Sequence, residues 1–216
     1  MDLASVRLRA TDCQSCLLWR TRDKVVFGGV DGFRDIASDL MIVGEAPGAE
    51  EDAKGMPFLG VAGEELDRLL EAAGLARKSA YITNVIKCRP TKEREGRAPA
   101  NRPPEPEEIA KCWNYLESQI ELVRPRVIVA LGVTAVARLL GPGAQVGTSR
   151  GPGRLHGDTP VVATYHPSPL SLNRKPERKL MIGADLAMAK RLLGSVEGSS
   201  PTDHATDAGT KSEVWP

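Results

Sequence analysis

The sequence predicts an α/β fold: a parallel sheet with helices on both faces. Two observations point to it. Apolar runs of strand length alternate with stretches of helical period from residue 40 to residue 194. The unusual polar residues fall just after those runs, where open parallel sheets bind their ligands.

The elements follow in order. LMIVG (40–44) is a short apolar run ending in glycine, a buried strand. Residues 62–74 (AGEELDRLLEAAG) carry leucines at 66, 69 and 70 and close on Gly74, an amphipathic helix with a glycine stop. YITNVIK (81–87) is β-branched and alternating, a second strand. PEPEEIAKCWNYLESQIELV (104–123) opens on prolines and acids, which suit a helix N-terminus. RVIVALG (126–132) is a third strand and VTAVARLLG (133–141) a short helix. PVVATY (160–165) is a fourth strand and KLMIGADLAMAKRLLG (179–194) the closing helix. There is no internal repeat.

A length of 216 residues suits one domain over 1–194. Residues 195–216 carry four acids, one lysine and little apolar periodicity, and are expected to be a disordered tail. The N-terminus has no apolar signal core and no stretch is long enough to span a bilayer, so a cytosolic chain without a membrane partner is expected. The net charge of +1 conceals an uneven distribution: residues 1–194 hold 28 basic and 24 acidic residues. Residues 87–102 hold six basic residues against two acidic, and 174–179 four against one. Arg138, Arg150 and Arg154 lie in a span free of acids. These segments are either a phosphate-binding face or ordinary solvated loops.

The only four cysteines are Cys13, Cys16, Cys88 and Cys112. A Cys-x-x-Cys pair with two distant partners suits a four-thiolate site, for Zn²⁺ or for an iron–sulfur cluster. Disulfides rarely persist in a cytosolic chain. A thioredoxin-type redox pair would follow a strand, and Cys13 precedes the first clear one. Inert buried cysteines are the plain alternative.

Three segments at or after the strand ends carry candidate chemistry. The stretch 44–60 (GEAPGAEEDAKGMPFLG) is stiffened by glycine and proline and holds Glu45, Glu50, Glu51, Asp52 and Phe58. It lacks the Gly-Lys-Ser/Thr of a phosphate loop. Glu45, just off the strand end, is the candidate catalytic carboxylate. Asn84 offers a donor and an acceptor side by side, which suits the edge of a nucleobase. His166, in YHPSP, can donate to a developing anion. Each alone also reads as an ordinary surface acid, a backbone-bonded amide or a structural histidine.

Together, GEAPG with its trailing ED and PFLG, TNVIKCRP (83–90) with a Cys soon after, LG at 131–132 and HPSP at 166–169 resemble the family 4 uracil-DNA glycosylases. These are bacterial and archaeal iron–sulfur enzymes of base excision repair. The match runs from Cys13 to about Leu193. The resemblance implies a three-layer α/β/α fold with a central four-stranded parallel sheet, and a [4Fe–4S] cluster on Cys13, Cys16, Cys88 and Cys112. It implies an extruded uracil stacked on Phe58, lined by Glu45, Ala46 and Pro47 and read at its O4/N3 edge by Asn84. His166 would donate to O2 as charge builds. Glu45 would position a water or offset the positive sugar. Ser168, Arg174, Lys175 and Arg97 would contact the DNA. The expected partner is uracil-containing DNA, single- or double-stranded. The expected enzyme is a monomer in a prokaryotic cytoplasm, on the nucleoid, with a sliding clamp as a further candidate partner.

The chain departs from the family pattern around TKEREGR (91–97), a charged, glycine-containing insertion. A covalently trapping relative has a histidine in this region and Gln after the motif glutamate. This chain has no histidine before His156 and has Ala46, so turnover is expected. Trp19 and Trp113, each near a cysteine, are expected to pack over the cluster. The competing reading is a non-catalytic iron–sulfur protein on the same fold, binding DNA or carrying electrons.

Overall fold

Every residue of Leu40–Gly44 is buried, as is every residue of Val127–Leu131. Both strands are covered on two faces, which is why both read as unbroken apolar runs. The computed structural model describes residues 1–195. Its elements, in chain order, are α1 (Leu3–Thr11), β1 (Gly29–Val30), β2 (Leu40–Gly44), α2 (Ala49–Lys54), α3 (Val61–Ala72), β3 (Tyr81–Asn84), β4 (Thr91–Lys92), β5 (Ala100–Asn101), α4 (Pro106–Val123), β6 (Val127–Leu131), α5 (Gly132–Leu140), α6 (Val146–Ser149), β7 (Leu155–His156), β8 (Thr159–Thr164), α7 (Pro169–Arg174) and α8 (Arg178–Ser195).

The main sheet runs β1-β3-β2-β6-β8-β7. Its four central strands are parallel, as expected, and two-residue antiparallel strands close each edge. The expected four-stranded sheet is therefore the parallel centre of a six-stranded one. Period-two alternation divides the core. Leu40, Ile42, Val127 and Val129 pack with Leu66 and Leu70 of α3 and with Ile182 and Leu186 of α8. Met41, Val43, Ile128 and Ala130 pack with Leu116 of α4, Ala135 and Val136 of α5, and Leu3 of α1. This is the three-layer arrangement.

The second strand is shorter than its sequence suggests. It ends at Asn84 rather than residue 87, and Cys88 lies beyond the strand. Backbone bonds from Val85 to Gly44 and from Ile86 to Glu45 keep the next two residues alongside β2. The insertion is a small antiparallel hairpin of β4 and β5, with Thr91 opposite Asn101. Its strands, two residues each, are too short to show an apolar alternation. The tail expected over 195–216 lies, beyond Ser195, outside the described residues. No helix among the described residues is long and apolar enough to cross a membrane.

Candidate active site

The C-terminal ends of β2 and β3 meet in register, Gly44 opposite Asn84. Asn84 is buried, and its Oδ1 has no hydrogen-bond partner. A Cβ at Gly44 would stand 2.4 Å from that Oδ1 and 2.6 Å from Phe58 Cζ, so only glycine lets the amide and the ring converge here. A second close approach lies one strand over. Gly132 has φ +86°, and a Cβ there would be 3.1 Å from His166 Cβ.

The loop after β2 is held by its own acids. Glu51 Oε2 accepts from the Gly48 amide at 3.1 Å, and its Oε1 accepts from the amides of Leu59 and Gly60 at 3.1 and 3.2 Å. One carboxylate thus fixes both ends of the loop around α2. Phe58, between the clamped points, is buried at φ +55°, the left-handed region that side chains avoid. Arg77 donates to the carbonyls of Pro57 and Phe58 at 3.0 and 3.1 Å and pairs with Asp67 at 2.8 Å. Asp52, also buried, accepts from the Asp23 amide at 3.1 Å; burial raises its pKa. Thr134, in the first turn of α5, donates its hydroxyl to Glu45 Oε2.

His166 follows β8, its ring nearly parallel to that of Phe58, with centroids 5.8 Å apart and planes at 24°. Burial pushes its pKa down to about 4, a pull that Glu51 opposes. At neutral pH the imidazole is uncharged and can donate one N–H. Glu45, Ala46, Pro47, Phe58, Asn84 and His166 all line one cavity of about 320 Å³, and Ser168 lines it too. Arg97, Arg174 and Lys175 are not among its lining residues; all three are exposed.

Pro90, Asn101 and Arg102 also line this wall, a role the sequence did not indicate. They bring the hairpin to the pocket. Arg89 donates to Asn101 Oδ1 at 2.7 Å, and Arg102 grips both oxygens of Glu108 at 2.6 and 2.8 Å. The basic segment therefore divides. Arg89 and Arg102 build the hairpin and Lys87 is buried, while Lys92, Arg94 and Arg97 are exposed. The acid-free arginine span divides similarly. Arg150 is tied to Asp185 at 2.7 and 3.1 Å, and the Arg138 guanidinium lies 4.0 Å from the Trp113 ring centroid. The Arg178 guanidinium lies 4.5 Å from the centroid of the Tyr165 ring, which immediately precedes His166. Arg154, the third arginine of the span, is exposed and donates to the Thr148 carbonyl at 3.0 Å.

Cys13, Cys16, Cys88 and Cys112 line a second cavity, walled by Ala10, Leu18, Trp19, Ile86 and Tyr115 among others. All four are free thiols. Arg22 donates to Cys88 Sγ at 3.3 Å and to the Cys13 carbonyl at 2.9 Å, and the Lys87 amide donates to Cys112 Sγ at 3.3 Å. Among the described residues, no three His, Cys, Asp or Glu side chains stand close enough to share one metal ion. Trp19 lines the cavity as expected; Trp113 does not, and sits instead under Arg138 and edge-on to His156.

The family model described as the uracil DNA glycosylase superfamily matches residues 32–187. A type-4 uracil-DNA glycosylase of Thermotoga maritima is 40% identical over 195 residues, spanning 89% of this chain and 94% of the relative. One from Archaeoglobus fulgidus is 46% identical over 120 residues, 56% of this chain and 54% of the relative. One from Pyrobaculum aerophilum is 38% identical over 196 residues, 87% and 93% of the two chains.

Proposed function

Since the chain belongs to the uracil DNA glycosylase superfamily, we propose that it excises uracil from DNA, hydrolysing the N-glycosidic bond of deoxyuridine and leaving an abasic site. The observation that carries this reading is Asn84 Oδ1, a buried acceptor with no donor, aimed at the end of a strand where ligands bind. Uracil presents an N3–H donor beside the O4 acceptor, which complements the oxygen and nitrogen of one amide. Cytosine presents the reverse pattern and leaves both amide atoms facing like partners.

The target base leaves the stack and enters the pocket. The bond between C1′ and the base nitrogen breaks, its electron pair going to uracil and leaving positive charge on the sugar. His166, neutral in the folded protein, donates an N–H to O2 as negative charge builds; no full proton transfer is needed. Glu45, its carboxylate oriented by Thr134, offsets the sugar cation or holds the water that adds to C1′. Phe58 gives the base an aromatic face. Ser168, Arg174, Lys175 and Arg97 contact the DNA backbone.

The thiol cage fits a [4Fe–4S] cluster. Four soft thiolate donors line one cavity with largely apolar walls. Cys13, Cys16, Cys88 and Cys112 would hold it, and when bound it supplies iron–sulfur bonds joining the N-terminal segment, the end of β3 and α4. With DNA as substrate, the enzyme works as a monomer on the nucleoid of a prokaryotic cytoplasm.

The test is release of free base from single-stranded oligonucleotides carrying uracil, thymine, hypoxanthine or xanthine in parallel. The wild type should release uracil and leave thymine in place. No uracil release would overturn the reading in favour of a non-catalytic iron–sulfur protein.

A further inference from the structure

Lys87 is 1% exposed, yet no carboxylate accepts from it. Its Nζ faces three acceptors: Thr83 Oγ1 at 2.8 Å, the Asn84 carbonyl at 2.6 Å and Gln119 Oε1 at 2.6 Å. Three acceptors match the three N–H groups of an ammonium. Burying a cation among neutral oxygens is costly and calls for a reason.

The reason lies in what the acceptors belong to. Carbonyls two residues apart on a strand point to the same side. The Ile82 carbonyl points toward the β1 side, where a Cβ on Gly28 would come within 2.3 Å of it. The pairing of β1 with β3 covers only Tyr81 and Ile82, and the chain before β1 next bonds at Val26, whose amide donates to the Lys87 carbonyl at 2.8 Å, so the Asn84 carbonyl lies between these contacts. The Lys87 side chain supplies a donor to that carbonyl at 2.6 Å. Gln119 belongs to α4 and is fully engaged. Its Nε2 donates to the Phe27 carbonyl at 2.8 Å and to the Tyr81 hydroxyl at 3.0 Å. Thr83 donates to the same Phe27 carbonyl at 2.8 Å. Cys112 lies seven residues before Gln119, two turns along the same side of α4, and its Sγ accepts from the Lys87 amide.

We propose that Lys87 is a positioning residue for base reading: its side-chain amine holds the Asn84 carbonyl and, through Gln119, ties the strand end carrying the base-reading amide to the helix carrying Cys112. This rests on the uracil-excision reading of the pocket. Asn84 must hold its side chain against a base edge to within a fraction of an ångström, and a backbone carbonyl free to swing would loosen it. The thiol cage and the base pocket are then two ends of one buried polar network rather than neighbours by accident.

The test compares wild type with Lys87→Met, which keeps the length of the side chain and removes its donors. Two affinities are measured well below the unfolding temperature: for free uracil, and for an oligonucleotide bearing an abasic site, which has no base to read. Visible absorption per chain reports the cluster in each sample. The variant should bind free uracil about tenfold more weakly, with abasic-site binding and absorption unchanged. If Lys87→Met does not fold, Gln119→Leu removes the brace from α4 but keeps Lys87, and should show the same selective loss at about threefold. Equal losses of both affinities, or no loss of either, would overturn the proposal. Wild type assayed alongside separates the two claims. If it releases no uracil, the excision reading fails; if it does and the variants bind uracil as it does, only the role of Lys87 fails.

Discussion

At the scale of single residues, the pocket is defined by polar atoms left free in the folded chain. Asn84 Oδ1 is one. His166 is another kind, a histidine whose charge is suppressed by burial. Its folded pKa of about 4 lies below the usual value near 6.5, so the unfolded chain binds a proton in that window and the folded chain does not. Its contribution to stability is therefore complete above about pH 6.5 and is lost as pH falls toward 4. The melting temperature of the wild type should drop over this range more steeply than that of His166→Asn, and equal slopes in the two proteins would refute the assignment. An imidazole already neutral also predicts that its NMR signals do not titrate between about pH 5 and 8.

At the scale of elements, two short pieces shape the pocket. The loop around α2 holds Phe58 in a left-handed conformation that costs about 1 to 3 kcal/mol where a side chain is present. The three amide bonds accepted by Glu51 stabilise that geometry. Glu51→Ala should lower kcat/KM for uracil release about tenfold or more while leaving far-UV circular dichroism unchanged. Activity equal to wild type would mean that the clamp is unnecessary. The hairpin of β4 and β5 is anchored by Arg89 and Arg102, which leaves Lys92, Arg94 and Arg97 exposed beyond the pocket wall. Neutralising those three should reduce the slope of log binding constant against log salt by about 1 for each phosphate that the protein no longer neutralises. An unchanged slope would make the hairpin a pocket wall and nothing more.

At the scale of the whole molecule, the four cysteines lie on separate segments that meet around one cavity. α1 is followed by Cys13, Cys88 lies past the end of β3, and Cys112 sits in α4. Replacing Cys112 by serine should give a colourless protein with a lower melting temperature. A brown, equally stable variant would remove Cys112 from the ligand set. The parallel strands were legible because burial on both faces makes continuous apolar runs, and the long helices because their caps and periods agree. The two-residue edge strands and the hairpin were not, since so few residues carry no period. Glu45 and His166 could be picked out because each follows a strand, Asn84 because it ends one, and Phe58 because it is the lone aromatic of the loop after β2. Glu51 read as one acid among several; its spacing of three from Gly48, a capping-box position, was the available signal. Lys87 gave none, because a lysine in a strand pattern normally points to solvent. What unites these parts is the claim that the chain reads uracil with Asn84. The most direct test is single-turnover release of uracil from a single-stranded oligonucleotide, wild type beside Asn84→Ala. Rapid release is expected of the wild type and a loss of about a hundredfold or more in the variant, with both proteins equally folded. Release by Asn84→Ala at the wild-type rate would contradict that claim.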